Sequence, residues 1–246
     1  MDWEATLVLR IQMHLPAPPP NMINKNLLER GFTLVEMAIV LVVVGLLVAA
    51  FLAPLSAQID QKNNSETRRL MDDAKEALMG YAITNKHLPC PDTNNDGIED
   101  FVGANCTSND GNLPWATLSL PNLDSWEQPL IYHVSTNFAV RSPSVTFGLG
   151  TNGNLRVCTQ ATCNPASTRL TTSAIAVIVS RGKNIGVCPL PSLPACADER
   201  ENDNGNNDFV SHEPTAVGTA NEYDDLVVWL SSNVLLNRMV TSGQLP

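Results

Sequence analysis

The sequence is short of positive charge. It has 15 lysines and arginines against 25 aspartates and glutamates, a net charge of −10 over 246 residues. Residues 1–31 are balanced, with Asp2, Glu4 and Glu29 against Arg10, Lys25 and Arg30, so the negative excess lies beyond residue 31. That balance argues against nucleic-acid binding through a basic face. Catalytic signatures are also missing. There is no G-x-S-x-G, Walker or dinucleotide fingerprint, and His14, His87, His133 and His212 have no spacing that would build a metal or nucleophile site. Ser180-Arg181-Gly182-Lys183-Asn184 reads as a strand end and turn, because nothing helical follows it to cradle a phosphate. No C-x₂-C pair or Cys/His spacing supports structural zinc. The residues therefore predict a chain that is not an enzyme and requires no cofactor.

What is present is one long apolar run. Phe32 to Leu55 is almost wholly apolar, with Glu36 as its only charge. At ~1.5 Å per residue, 32–55 would span about 36 Å as a helix, enough for a bilayer core of about 30 Å. A cleavable secretory signal does not fit. Its apolar core is shorter, and Leu55-Ser56-Ala57 puts Leu where a small residue is wanted. A plain single-pass anchor explains the length but not Glu36, since a carboxylate in hydrocarbon costs roughly 2.5–3.5 kcal/mol on insertion scales. Such residues are functional by default, and the question is what pairs with this one. Lys25 and Arg30 place the N-terminal end in the cytoplasm and send the C-terminus outward. All six cysteines, Cys90, Cys106, Cys158, Cys163, Cys188 and Cys196, lie after the run. An even number there suggests disulfides in an oxidising compartment. Many pairings are open, and nearest neighbours (90–106, 158–163 and 188–196) are the working assignment.

Gly31-Phe32-Thr33-Leu34-Val35-Glu36, followed by an apolar stretch with Gly45 and Pro54, resembles the processing motif of the type IV pilin and type II secretion pseudopilin family. The resemblance covers about 25 contiguous residues and combines a cleavage signal, a fixed acid and a spanning length. It implies that a prepilin peptidase cuts between Gly31 and Phe32 and methylates the new amine on Phe32. It implies further that Glu36 pairs with the amine of a neighbouring subunit during assembly. The implied partners are other pilin or pseudopilin subunits, the prepilin peptidase and an inner-membrane assembly platform. The chain would first sit in the inner membrane as a single-pass protein with a periplasmic head, then enter a pilus or pseudopilus. Family leaders are short and basic, whereas residues 1–21 include Pro16-Ala17-Pro18-Pro19-Pro20; translation from Met22 would give an ordinary leader. The expected organisation is a leader over 1–31, a transmembrane half-helix over 32–55, an amphipathic half over 56–86 and a β-rich head over 87–246.

The remainder predicts an α+β fold, a long N-terminal helix packed on an antiparallel sheet with disulfide-stapled loops. Leu70, Ala74, Leu78 and Ala82 recur every four residues, with Met71, Ala77 and Tyr81 beside them, as an amphipathic helix requires. Pro54 predicts a bend between the two halves, and Pro89-Cys90-Pro91 ends the helix. Strands are expected at Leu130–Ser135, Val145–Leu149, Leu155–Cys158, Ala174–Ser180 and Leu226–Leu230, with Ala174–Ser180 central. Asp124-Ser125-Trp126-Glu127-Gln128-Pro129 is similar to the D-x-W-G-x-P entry to the sheet in major pseudopilins, with Glu127 where Gly is usual. Ser231 or Ser232 could cap a last helix carrying Leu235, Leu236 and Met239 and closed by Gly243.

Two acidic loops have the composition of calcium sites. Asp92, Asn94, Asp96 and Asp100 occupy positions 1, 3, 5 and 9 of a calcium loop, with Gly97 at position 6. Gly103 stands at position 12, where a bidentate Glu belongs. The second candidate set is Asp203, Asp208, Asp224 and Asp225; Tyr223–Trp229 resembles the segment that closes the structural calcium site of major pseudopilins. A solvated turn cluster is the competing reading of both. The head is larger and richer in cysteine than a minimal pseudopilin needs, which favours a minor or specialised subunit. The alternative is a filament-displayed adhesin or uptake module.

Overall fold

The structure, a computed structural model, describes residues 32–164, 166–184, 196–215 and 221–245, apart from the side chains of 50–55. The chain divides into two compact units, Met1–Leu52 and Ala53–Pro246. Helix α1 (Leu34–Asn85) begins in the first and ends in the second. In the first unit every described side chain from 32 to 49 is exposed. Among the described residues no helix is long and apolar enough to cross a membrane. The expected span over 32–55 includes the side chains of 50–55, which lie outside the described residues; the backbone at Pro54, where a bend is expected, is assigned to α1 with no break in the helix.

In the second unit α1 becomes amphipathic. Met71, Ala74, Leu78 and Ala82 are fully buried, while Arg68, Arg69, Asp72, Asp73 and Glu76 face solvent. The small Ala74 and Ala82 alternate with the long Met71 and Leu78, giving a surface that can interlock with a sheet. The helix stops at Asn85; Lys86 takes the left-handed conformation (φ 68°) and its N–H donates to the Ala82 carbonyl at 2.8 Å. This is an αL-type helix end, reached before Pro89 is met.

The head contains short strands β1 (Phe101–Val102), β2 (Asn105–Cys106) and β3 (Asp110–Asn112), helix α2 (Trp115–Leu118), and strands β4 (Ile131–Val134), β5 (Leu155–Cys158) and β6 (Arg169–Ser180). Helix α3 (Ala197–Asn202), strands β7 (Asp208–Val210) and β8 (Leu226–Ser231), and helix α4 (Ser232–Thr241) complete it. β1 and β2 form their own hairpin, and the main sheet runs β3-β4-β6-β5-β7 with β8 also paired to β6. β6 is the hub because it is buried on both faces. Ile175, Ala176 and Ile178 join the α1 stripe, Tyr132, Phe138 and Leu235. Val177 and Val179 join Ile131, Val157 and Phe209 on the opposite face. Within the buried part of β6, strict alternation fails at Ala174–Ala176, where the pairing with β8 shifts register. A bulge there turns two successive residues, Ile175 and Ala176, to the same face.

The structure corrects three sequence expectations. The sheet is mixed, not purely antiparallel, because β5 runs parallel to β7. Val145–Leu149 is not a strand. Phe147 instead packs its ring on Phe138 (centroids 4.6 Å apart), and the backbone turns at Gly148, whose carbonyl accepts from the Thr151 N–H at 2.8 Å. Ser231 occupies the N-cap of α4 but makes no side-chain capping bond; Leu235, Leu236 and Met239 are buried as the periodicity requires.

The Asp124 turn links sheet and helix. Asp124 is buried; Oδ1 accepts the N–H groups of Trp126 and Gln128, both at 2.9 Å, and Oδ2 accepts the Ser180 hydroxyl at 2.6 Å. The Ser125 N–H donates to Thr67 on α1 at 3.2 Å. Glu127 sits in this turn with φ 61°, a conformation that favours glycine. Glu127→Gly should therefore stabilise the protein by about 1 kcal/mol, seen as a raised denaturation midpoint with an unchanged slope.

His133 on β4 is buried beside Phe209 (centroids 4.6 Å apart). Its Nε2 lies 3.0 Å from Asp110 Oδ1 but is not aligned for a hydrogen bond. Burial holds the imidazole pKa below its usual value, against the opposing pull of Asp110 and Asp203. The folded state therefore keeps His133 neutral. Its contribution is complete above the unfolded pKa of about 6.5 and is lost as pH falls below that value. His133→Gln should lose less stability than the wild type between about pH 7 and pH 5, measured by urea titration at each pH.

Candidate functional site

The first candidate is the start of α1. Phe32 and Thr33 precede the helix, and the Met37 N–H makes the first helical bond to the Thr33 carbonyl at 3.1 Å. Thr33 Oγ1 accepts the Glu36 N–H at 3.2 Å, and Glu36 Oε2 accepts the Thr33 N–H at 3.4 Å. Around this polar start the surface is apolar on every side; Phe32 is 73 % exposed, Leu34 87 % and Leu41 72 %. Contiguous apolar surface of this kind marks a face made for protein or membrane contact. Gly31 lies outside the described residues.

The loop over 92–100 is tied together by its own carboxylates. Asp92 is buried, with Oδ1 accepting the N–H of Asn94 (3.1 Å) and Asn95 (2.7 Å) and Oδ2 that of Gly97 (2.7 Å). Asn94 Oδ1 accepts from Asp96 N–H at 3.0 Å, and Asp96 Oδ1 from Ile98 N–H at 2.8 Å. Asp100 takes the Thr93 hydroxyl at 2.6 Å and the Thr93 N–H at 2.7 Å, and these bonds hold its carboxyl below the ordinary aspartate pKa. The Cys90–Cys106 disulfide closes the loop, as the nearest-neighbour pairing predicts. Glu99 turns inward to accept from Tyr81 Oη and from the Cys90 N–H at 3.1 Å. These bonds, from backbone N–H groups and from the hydroxyls of Thr93 and Tyr81, are those of a turn cluster, and Gly103 stands at the position where a calcium loop has its glutamate.

The second loop is rearranged relative to the sequence reading. Asp203 pairs with Arg181, and Asp208 pairs through both oxygens with Arg156. Asp224 and Asp225 instead converge with Glu199 of α3, and one ligand oxygen from each of the three lies within 4.8 Å of the others. Half of each carboxylate is satisfied. Asp224 Oδ2 accepts the N–H of Lys183 (3.0 Å) and Asn184 (3.1 Å), Asp225 Oδ2 accepts Asn202 Nδ2 (2.8 Å), and Glu199 Oε1 accepts Asn184 Nδ2 (2.9 Å) and the Asp224 N–H (3.1 Å). The remaining oxygens, Asp224 Oδ1, Asp225 Oδ1 and Glu199 Oε2, are buried with no hydrogen-bond partner among the described residues. Gly182 (φ 61°) lies against this group, where a Cβ would meet Asp224 Oδ1 at 2.4 Å. Burial is the main reason that all three acids have raised pKa values, Asp225 well above its ordinary value.

Three unsatisfied carboxylate oxygens in one buried group are unstable as anions unless a proton or a cation joins them. All are hard oxygen donors, which suit calcium or magnesium rather than zinc. Glu199 is the member that sequence spacing missed. Its neighbours Asp198 and Glu201 carry the same charge, and only the turn of α3 decides which acid faces Asp224. Cys158–Cys163 forms the second disulfide, and Cys196 is also disulfide-bonded; Cys188, its expected partner, lies outside the described residues.

Residues 27–52 match the family model described as the prokaryotic N-terminal methylation motif. No curated protein and no solved structure matches the chain.

Proposed function

We propose that this chain, whose residues 27–52 match the prokaryotic N-terminal methylation motif, is a type IV pilin-like protein and, within that class, a structural, non-enzymatic minor pilin or pseudopilin. The observation that carries this reading is the start of α1, where a single carboxylate, Glu36, stands in a helix surface otherwise apolar on all sides. Such a surface is incompatible with water and is covered by lipid before assembly and by other subunits afterwards. Cleavage between Gly31 and Phe32 would create a cationic amine close to Glu36. In an apolar bundle, a carboxylate left without its counter-charge costs about 3–5 kcal/mol, so pairing with the amine of an adjacent subunit would admit only correctly registered subunits. The exposed apolar helix and the disulfide-bonded head fit a chain first anchored in the inner membrane with its head in the periplasm, then drawn into a filament. Glu36→Val should yield a processed, membrane-inserted protein that is absent from sheared filaments; incorporation at the wild-type level would refute the assembly role.

Calcium is the cofactor that the second acidic cluster fits. Glu199, Asp224 and Asp225 would hold it through their three unsatisfied oxygens, and the ion would neutralise a buried negative group that the fold leaves uncompensated. Asp225→Asn separates this reading from a merely strained acid cluster. In chelator the variant should match or exceed wild-type stability, because a buried charge has been removed. In millimolar calcium the wild type should gain several degrees in Tm and the variant should not. Equal Tm values for the wild type with and without calcium would exclude the site.

A further inference from the structure

We infer that a polar groove on the face of β3 and β4 turned away from α1 binds a short neutral oligosaccharide, a site in the head that is independent of the filament-subunit reading above.

β3 and β4 pair so that Asp110 lies opposite His133 and Asn112 opposite Ile131, which puts all four on one face. That face is the one opposite the α1 stripe, since Ile131 packs with Val177 and Phe209. The four residues line a polar pocket of about 380 Å³, with Arg181 and Asp203 at its side. A second pocket, of about 220 Å³, is lined by Asn95, Asn112, Trp115 and Pro129. Asn112 belongs to both walls, and Pro129 stands two residues before Ile131 along the chain that enters β4. The two pockets are therefore neighbouring parts of one groove. Its size falls in the range of small-ligand sites, about 300–1,000 Å³.

The chemistry of the wall selects the ligand. His133 leaves only 4 % of its side chain exposed, and its Nε2, 3.0 Å from Asp110 Oδ1, has no hydrogen-bond partner among the described residues. Arg181 donates to Asp203 Oδ1 from Nε at 3.1 Å and from Nη2, which leaves Nη1 and Asp203 Oδ2 unengaged among the described residues. The groove thus offers acceptors at Asp110, Asp203 and the neutral His133, and a donor at Arg181. A hydroxyl both donates and accepts, so the vicinal hydroxyls of a sugar serve both kinds of group at once. An anion meets two carboxylates against one guanidinium. An ammonium would satisfy the acceptors and leave Arg181 unused, and a metal ion would find no third ligand close to His133 and Asp110 among the described residues. At the other end Trp115 supplies an aromatic face for the C–H side of a sugar ring. Its ring is seated against Gly97, where a Cβ would meet Cε2 at 2.4 Å, so little side-chain freedom is lost on binding. Between the two ends Asn112 gives its Nδ2 to Asn95 Oδ1 and keeps its own Oδ1 to accept.

The test uses the purified full chain in a detergent without a sugar headgroup. Maltose, cellobiose, lactose and chitobiose are titrated by calorimetry, with putrescine and zinc chloride as cationic comparisons. At least one disaccharide should bind with a Kd in the millimolar range or tighter and change the tryptophan fluorescence. Asp110→Ala removes a carboxylate that is partly exposed at the groove, so Tm should be unchanged while that binding weakens about tenfold. Trp115→Phe should keep the binding and lose the fluorescence change. Asp72→Ala, on the solvent side of α1, should alter neither. Failure of all four disaccharides to bind, wild-type affinity in Asp110→Ala, or an undiminished fluorescence change in Trp115→Phe would each overturn the inference. Binding of putrescine or zinc without any disaccharide would overturn it in favour of a cation site.

Discussion

The contact between the α1 stripe and β6 is the constraint on which the head depends. Met71, Ala74, Leu78 and Ala82 pack with Ile175 and Ile178, and none of the six leaves more than a trace of surface to solvent. Truncating a buried leucine or isoleucine of this kind typically removes 2–5 kcal/mol, a large fraction of what holds a domain together. The other elements are arranged around it. β4 and β8 pair with β6, α4 covers the same face through Leu235 and Met239, and the Asp124 turn ties Thr67 and Ser180 to one another across the contact. Burial on both faces is confined to Ala174–Ser180, the seven residues of β6 that are all buried, while Arg169–Ser173 extend beyond the core.

The acidic groups of the head show how environment, rather than residue type, sets the role of a carboxylate. Asp92 and Asp124 are as deeply buried as Asp225. The first two are surrounded by donors, three N–H groups for Asp92 and two N–H groups plus a hydroxyl for Asp124, and serve as the centres of turns. Three donors leave such a carboxylate at most one of its roughly four lone-pair sites for an ion. Asp208 and Asp203 are neutralised by arginines. Among the described residues only Glu199, Asp224 and Asp225 combine burial, mutual proximity and unsatisfied oxygens.

This difference also marks where the sequence was legible. The α1 stripe has a period near 3.6 and β6 is a long β-branched run, so both could be read without a structure. The disulfides Cys90–Cys106 and Cys158–Cys163 were accessible because each closes a short loop. β1, β2, β3 and β7 were not, since strands of two or three residues such as Asp110-Gly111-Asn112 have turn composition and become strands only by pairing with a neighbour. Val145–Leu149 failed for the opposite reason. Its apolar residues match a strand, but Phe147 finds its partner in Phe138 through side-chain packing without a ladder. At the acidic site, Asp224 and Asp225 were named and Glu199 was not. At the helix start Glu36 was named for its charge, whereas Thr33-x-x-Glu36 also has the spacing of a capping box, a signal present in the sequence and passed over.

The cross-links of the head lie where the core does not reach. The apolar cluster is built from α1, α2, β4, β6, β8, α4 and the segments beside them. The stretches around 90–106 and 196–225 are rich in Asp, Asn and Gly, 158–163 is mostly small and polar, and all three contribute few side chains to it. Chain of that composition gains too little from burial to offset the entropy of ordering it. A disulfide lowers that entropic cost by restricting the unfolded chain, and a bound cation would lower it by stabilising the folded loop alone. The disulfides at Cys90, Cys158 and Cys196 and the carboxylates at Glu199, Asp224 and Asp225 therefore address one problem, the fixing of polar loops on a sheet that cannot bury them. The unsatisfied oxygens of Glu199, Asp224 and Asp225 are where the proposed cation would complete that solution.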